Sequence, residues 1–176
     1  MGNLKKLVFL GDSLTQWGDW GQRFPGYQVI NLGISGETVE GLLARRERIR
    51  TQIDNPDFIF LMTGINNIAT GQYDIIPPYR EIVRNLTTWY KQSTVVVQSL
   101  LPADSGWVSN DVILDINRLL EEIAREYGAE YLDVFRSFVD AKGTPKKGYL
   151  SDDGVHLANK GYDVWAGEVE RFLLEE

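Results

Sequence analysis

Five short apolar runs punctuate the chain, at residues 6–10, 28–32, 58–62, 94–99 and 130–134. Several are continuously apolar and rich in Val, Ile and Phe rather than alternating with polar residues. Strands read this way when both faces of their sheet are covered, as in parallel sheets. Between the runs, apolar positions recur at helical spacing. Residues 38–53 carry Val39, Leu42, Leu43, Ile49 and Ile53 on one stripe with arginines elsewhere, which predicts one amphipathic helix. Pro77-Pro78 signals the start of a second helix at 79–91. Val112, Ile113, Ile116, Leu119, Leu120 and Ile123 place a third at 110–127, with Gly128 as its stop. The last, at 159–174, carries Tyr162, Trp165, Val169, Phe172 and Leu173.

Strands alternating with helices predict an α/β fold, a three-layer α/β/α sandwich around a five-stranded parallel sheet. The flavodoxin-like strand order 2-1-3-4-5 suits five strands. The longest irregular stretch, 137–158, contains Gly143, Pro145 and Gly148 and carries the only histidine of the chain, His156. A long ordered loop in a compact fold is often functional.

Length and charge narrow the classes. The 176 residues suit one domain, 1–176, with a full core. A net charge of −7 argues against nucleic acid and against an anionic membrane surface. Without cysteine there are no disulfides, no thiolate chemistry and no cysteine-ligated metal, and one histidine excludes a His-rich metal site. The N-terminus, Met1-Gly2-Asn3-Leu4-Lys5-Lys6, lacks the apolar core and cleavage site of a secretory signal. No run approaches the ~20 residues of a membrane span. The expectation is a cytoplasmic protein with no cofactor, no metal and no membrane segment, whose partner is a small molecule; a homo-oligomer is left open.

In open α/β sheets, ligands bind beyond the carboxyl ends of the strands. There the sequence offers Gly11-Asp12-Ser13-Leu14-Thr15, then Gly33-Ile34-Ser35-Gly36, then Thr63-Gly64-Ile65-Asn66-Asn67. Ester hydrolysis needs a nucleophile, a base and donors for a developing oxyanion. Ser13 at a helix start supplies a hydroxyl and an outward N–H. Gly33 offers a backbone N–H with no side chain in the way, and Asn66 offers an amide. His156 is the candidate base. Asp153, three residues before it, can accept its second ring N–H if the segment turns helically. Asp152 is adjacent and is the alternative, although from the neighbouring position its side chain should point elsewhere.

These blocks resemble the GDSL or SGNH hydrolases, a family of serine esterases and lipases. Gly11-Asp12-Ser13-Leu14 is similar to the first family block, with Ser13 as nucleophile. Gly33 is similar to the oxyanion glycine of the second, and Gly64-Ile65-Asn66 to the third, with Asn66 as oxyanion amide. Asp153-Gly154-Val155-His156 is similar to the last. The resemblance implies metal-independent hydrolysis through an acyl-serine, as in the small platelet-activating-factor acetylhydrolase-like and carbohydrate acetylesterase members. One departure stands out: the family usually has aspartate where Asn67 stands, which implies the loss of a carboxylate that helps hold the loop.

Rival readings use the same residues. A thioesterase, lysophospholipase or acyltransferase needs the same triad. A non-catalytic flavodoxin-like binding module is the distant alternative: a phospho-receiver needs an aspartate ending the third strand, where Met62-Thr63-Gly64 stands, and a flavin carrier needs a hydroxyl-rich phosphate loop after the first strand, which Gly11-Asp12-Ser13-Leu14-Thr15 fits poorly. Trp17, Trp20 and Trp107 read either as walls of an acyl or sugar pocket or as packing. Trp165 reads as core. Arg45, Arg46, Arg48 and Arg50 read as a solvated helix face with Glu47 as a local partner. Lys146-Lys147 is the one candidate for an acidic substrate group.

Overall fold

The computed structural model describes residues 4–175. In chain order it contains β1 (Lys6–Gly11), α1 (Ser13–Gln16), α2 (Trp20–Arg23), β2 (Gln28–Gly33), α3 (Val39–Ala44) and α4 (Arg46–Gln52). These are followed by β3 (Phe58–Met62), α5 (Ile65–Ala69), α6 (Ile76–Trp89), β4 (Thr94–Gln98), α7 (Asn110–Tyr127), β5 (Glu130–Leu132), α8 (Phe135–Phe138) and α9 (Asn159–Glu175).

The strands form one parallel sheet in the order β2-β1-β3-β4-β5. Both faces are covered, which explains the continuous apolar runs: Leu7 to Leu10 and Ile59 to Leu61 are without solvent exposure. On one face Phe9 stacks on its register partner Phe60 at 5.1 Å and on Trp20 at 4.4 Å. Trp165 of α9 closes edge-on against Trp20 at 4.7 Å and donates its indole N–H to Gln98 Oε1 at 2.7 Å. On the other face, α6 buries Tyr79, Ile82, Val83 and Leu86, and α7 buries Ile113, Ile116, Leu120 and Ile123. Those positions follow the helical period that predicted both elements. Gly128 at φ +68 stops α7, since a left-handed residue there costs glycine little.

Three expectations change. The single helix at 38–53 is two helices broken at Arg45, whose φ/ψ of −92°/14° leaves the helical well. Its guanidinium turns back onto Glu37, with bonds of 2.6 and 2.7 Å, and onto the Leu32 carbonyl at 2.7 Å. It is therefore tied to the loop after β2 and is not a freely solvated residue; Arg46 donates to the Leu43 carbonyl, and Arg50 lies over the Trp89 ring. The fifth strand ends at Leu132, because Val134 adopts a helical conformation and starts α8. The second long helix begins at Ile76, with the two prolines inside its first turn, where their missing N–H groups cost nothing. No helix among the described residues is long and apolar enough to cross a membrane.

Strand order places the topological switch between β1 and β3: the chain leaves β1 toward β2 on one side and returns to β3 on the other. Crevices form at such points beyond the carboxyl ends. The turns after β1 and β3 carry Ser13 and Asn66.

Candidate active site

The nucleophile turn is dictated by close packing. A Cβ on Gly11 would lie 2.1 Å from the Met62 carbonyl oxygen and 2.3 Å from Thr15 Oγ1, so only glycine lets β1 run this close to β3 and α1. Asp12 then caps α1, its Oδ1 accepting the Leu14 N–H at 3.0 Å. Ser13 follows as the first residue of the helix and is 5% exposed. Its N–H has no intrahelical acceptor by virtue of that position. It also has no other acceptor among the described residues.

The far end of the chain arrives on a turn at residues 151–156. Asp153 Oδ1 accepts the N–H groups of Val155 and His156, each at 2.9 Å, while its Oδ2 lies 2.6 Å from His156 Nδ1. The spacing of three is thus bridged by a carboxylate-capped turn and not by the helical turn anticipated. The His156 carbonyl accepts from both the N–H and the hydroxyl of Ser151 at 2.8 Å. Gly154, at φ +71, accepts the Asp104 N–H at 2.7 Å; a Cβ there would meet the Asp104 carbonyl oxygen at 2.2 Å. So docked, His156 Nε2 stands 3.0 Å from Ser13 Oγ across 143 positions of sequence.

Two carboxyls near the imidazole differ in environment. Burial opposes ionisation of Asp153, but the Val155 N–H, the imidazole and the His156 N–H together hold it below the usual carboxylate range. At Asp12 burial wins and pushes the carboxyl up to about 7, against the Leu14 N–H and His156, which favour the ionised form. Its Oδ2 is buried with no hydrogen-bond partner.

The candidate oxyanion donors beside Ser13 are held by the loops after β2 and β3. A Cβ on Gly33 would lie 2.4 Å from the Gln16 nitrogen and 2.9 Å from the Asp12 carbonyl oxygen, so glycine is required where β2 passes α1. The Gly33 N–H donates to Asn31 Oδ1 at 3.0 Å, and the Asn31 amide in turn caps the carbonyls of Thr15 and Gln16. Asn66 Nδ2 donates to the Glu37 carbonyl at 2.9 Å, using one of its two hydrogens. Glu37 is itself clamped by Arg45.

Asn67 is wholly buried and holds the loop without a carboxylate. Its Oδ1 accepts the Val39 N–H at 2.9 Å and its Nδ2 donates to Glu40 Oε2 at 2.8 Å. The charge has moved across the contact to Glu40, so the expected loss of support at this position does not occur.

The tryptophans separate. Trp20 and Trp165 are core. Trp107 is exposed on the loop between β4 and α7. Trp17, 54% exposed, stacks on His156 with ring centroids 4.3 Å apart and planes inclined by 21°. Sequence reasoning placed Trp17 near the site but missed this partner, because the partner lies at the other end of the chain. Lys146 donates to the Ser137 carbonyl at 3.0 Å and lies over the Tyr149 ring.

A family model described as GDSL-like lipase/acylhydrolase matches residues 9–164. Platelet-activating factor acetylhydrolase IB subunit alpha1 of Rattus norvegicus is 28% identical over 178 residues, covering 96% of this chain and 75% of the relative. An acetylxylan esterase of Geobacillus stearothermophilus is 26% identical over 204 residues, covering 94% of this chain and 92% of the relative. A solved structure from Streptococcus pneumonia superposes with a TM-score of 0.86 at 25% identity, covering 97% of this chain and 84% of the other.

Proposed function

The chain belongs to the GDSL-like lipase/acylhydrolase family and is an ester-bond hydrolase, and we propose that it is a serine esterase acting on short-chain carboxylic esters through an acyl-serine at Ser13. Residues 1–176 then act as one catalytic domain. The reading is carried by one observation: Ser13 Oγ, His156 and Asp153 form a continuous relay with gaps of 3.0 and 2.6 Å.

In this mechanism Ser13 Oγ attacks the ester carbonyl carbon while His156 Nε2 accepts its proton. Asp153 holds the Nδ1–H, fixing the tautomer and favouring the imidazolium that forms. The carbonyl oxygen becomes an anion only as the bond forms. Neutral donors aimed at it therefore act on the transition state more than on the ester. The donors are the Ser13 N–H, the Gly33 N–H and the second hydrogen of the Asn66 amide. Because the Gly33 N–H already meets Asn31 Oδ1, it must share itself between that oxygen and the oxyanion. The imidazolium gives its proton to the leaving alcohol as the ester C–O bond breaks. Water, deprotonated by His156, then attacks the acyl-serine; the acyl–Oγ bond breaks, the acid leaves, and His156 returns the proton to Ser13 Oγ.

The names of both curated relatives specify acetyl groups, which supports a small acyl substituent carried on a carbohydrate or on a small lipid-like alcohol. The test is Ser13→Ala assayed on p-nitrophenyl acetate. The expected result is a loss of about 10⁴-fold or more in kcat with an unchanged circular dichroism spectrum. Turnover surviving in the folded variant would reject Ser13 as the nucleophile.

A further inference from the structure

Two hydrogen bonds hold the His156 ring, one at each nitrogen. Both act close to the ring plane. They set where the nitrogens lie but resist only weakly a tilt of the ring about the line joining them. A contact on the ring face is what fixes the plane, and the indole of Trp17 makes one at 4.3 Å and 21°. The indole is carried by the nucleophile's turn rather than by the base's. Trp17 follows α1 directly, and its backbone N–H donates to the Ser13 carbonyl at 3.0 Å. Any excursion of the Ser13 turn therefore carries the ring clamp with it.

The contact also carries charge. The imidazole is neutral when it awaits the proton of Ser13 and cationic once it has taken it. The face of an indole attracts a cation far more than a neutral ring. A stacked indole therefore favours the form of His156 that exists in the transition state. We propose that Trp17 is a positioning residue for the reaction, fixing the plane of the His156 imidazole and stabilising its protonated form. This rests on the reading of His156 as the base. The carboxyls that act on the imidazole are Asp153 on its own turn and Asp12 on the turn after β1; Glu37, in the loop after β2, acts on Asp12. Neither Trp17→Ala nor Trp17→Phe removes any of the three.

The chain's single histidine makes the test direct, because every imidazole resonance in the proton NMR spectrum belongs to His156. Trp17→Ala and Trp17→Phe are compared with the unaltered protein and with Ser13→Ala. In Trp17→Ala the ring-current displacement of the His156 resonance should vanish. On p-nitrophenyl acetate, kcat should fall about 5-fold with KM changed less than about 2-fold. Trp17→Phe, which keeps an aromatic face, should recover most of both effects. An unmoved resonance or an undiminished kcat in Trp17→Ala overturns the proposal. So does a loss confined to KM, which would make Trp17 a wall for the ester alone. Turnover persisting in Ser13→Ala overturns the triad and the catalytic half of the proposal. The resonance data still judge the ring contact separately.

Discussion

At the scale of single residues, Asp12 shows how burial converts a helix cap into a titrating group. The residue begins as an ordinary cap, with Oδ1 serving the Leu14 N–H. Its second oxygen finds no partner, and burial lifts the carboxyl to about 7. A carboxyl raised in the folded state binds its proton more tightly there than in the unfolded chain. Its contribution to stability is therefore complete below about pH 4 and is lost as pH rises through 7. Asp12→Asn keeps the capping oxygen and never ionises. The variant should match the unaltered protein in urea unfolding near pH 4 and exceed it by about 2–4 kcal/mol at pH 8. A gap that stays constant across this range would mean that Asp12 ionises freely in the folded protein.

At the scale of elements, the site depends on short pieces that support one another. The five-residue α5 presents Asn66 toward the Glu37 carbonyl, and Asn67 on the same helix locks it to the start of α3 through Val39 and Glu40. Restoring the usual family residue with Asn67→Asp would set a buried carboxylate against that of Glu40. At pH 7 it should cost about 2–3 kcal/mol. In a Glu40→Gln background the amide can donate to the new carboxylate, and most of the loss should disappear, as a double-mutant cycle in denaturant would record. Equal losses in both backgrounds would show that the two side chains do not act as a pair. Elements this short were invisible in the apolar pattern, since four or five residues hold little more than one helical turn. The break at Arg45 was hidden for a different reason. The stripe from Val39 to Ile53 continues through it, and what interrupts the helix is a bond to Glu37 and Leu32.

At the scale of the whole molecule, the active site is a meeting of chain ends. The parallel sheet carries the turn after β1 to the same rim as the turns after β2 and β3. The loop at 137–158 must then cross that rim to deliver His156. Its anchorage is Gly154 on the Asp104 backbone. Gly154→Ala combines an unfavourable left-handed φ with a Cβ placed against a carbonyl oxygen, so the 151–156 turn should lift from its support. The expectation is a fall in kcat of about 10²-fold, with a smaller loss in thermal stability because the sheet core is untouched. Undiminished activity in that variant would show that the turn holds His156 without Gly154. Three of the four long helices and the five strands were legible in advance, because each is a local periodicity read against a covered sheet; the fourth pattern, 38–53, hid the break at Arg45. The blocks that carry Ser13, Gly33 and Asn66 were legible as residue types at strand ends, and the Asp153–His156 pair as a spacing in the long loop before α9.

The sequence by itself determined the layering, the strand order expected of it and the identity of the candidate groups, since these follow from apolar spacing and from which residues can do the chemistry. Tertiary structure alone decided how those groups face one another. It set Ser13 Oγ beside His156 Nε2, joined Asn67 to Glu40 across 27 positions, and laid Trp17 across His156. The reason is range: periodicity reports on neighbours within a helix turn or a strand pleat. Hydrogen bonds and ring stacking between residues about 140 positions apart exist only after the sheet has closed the distance.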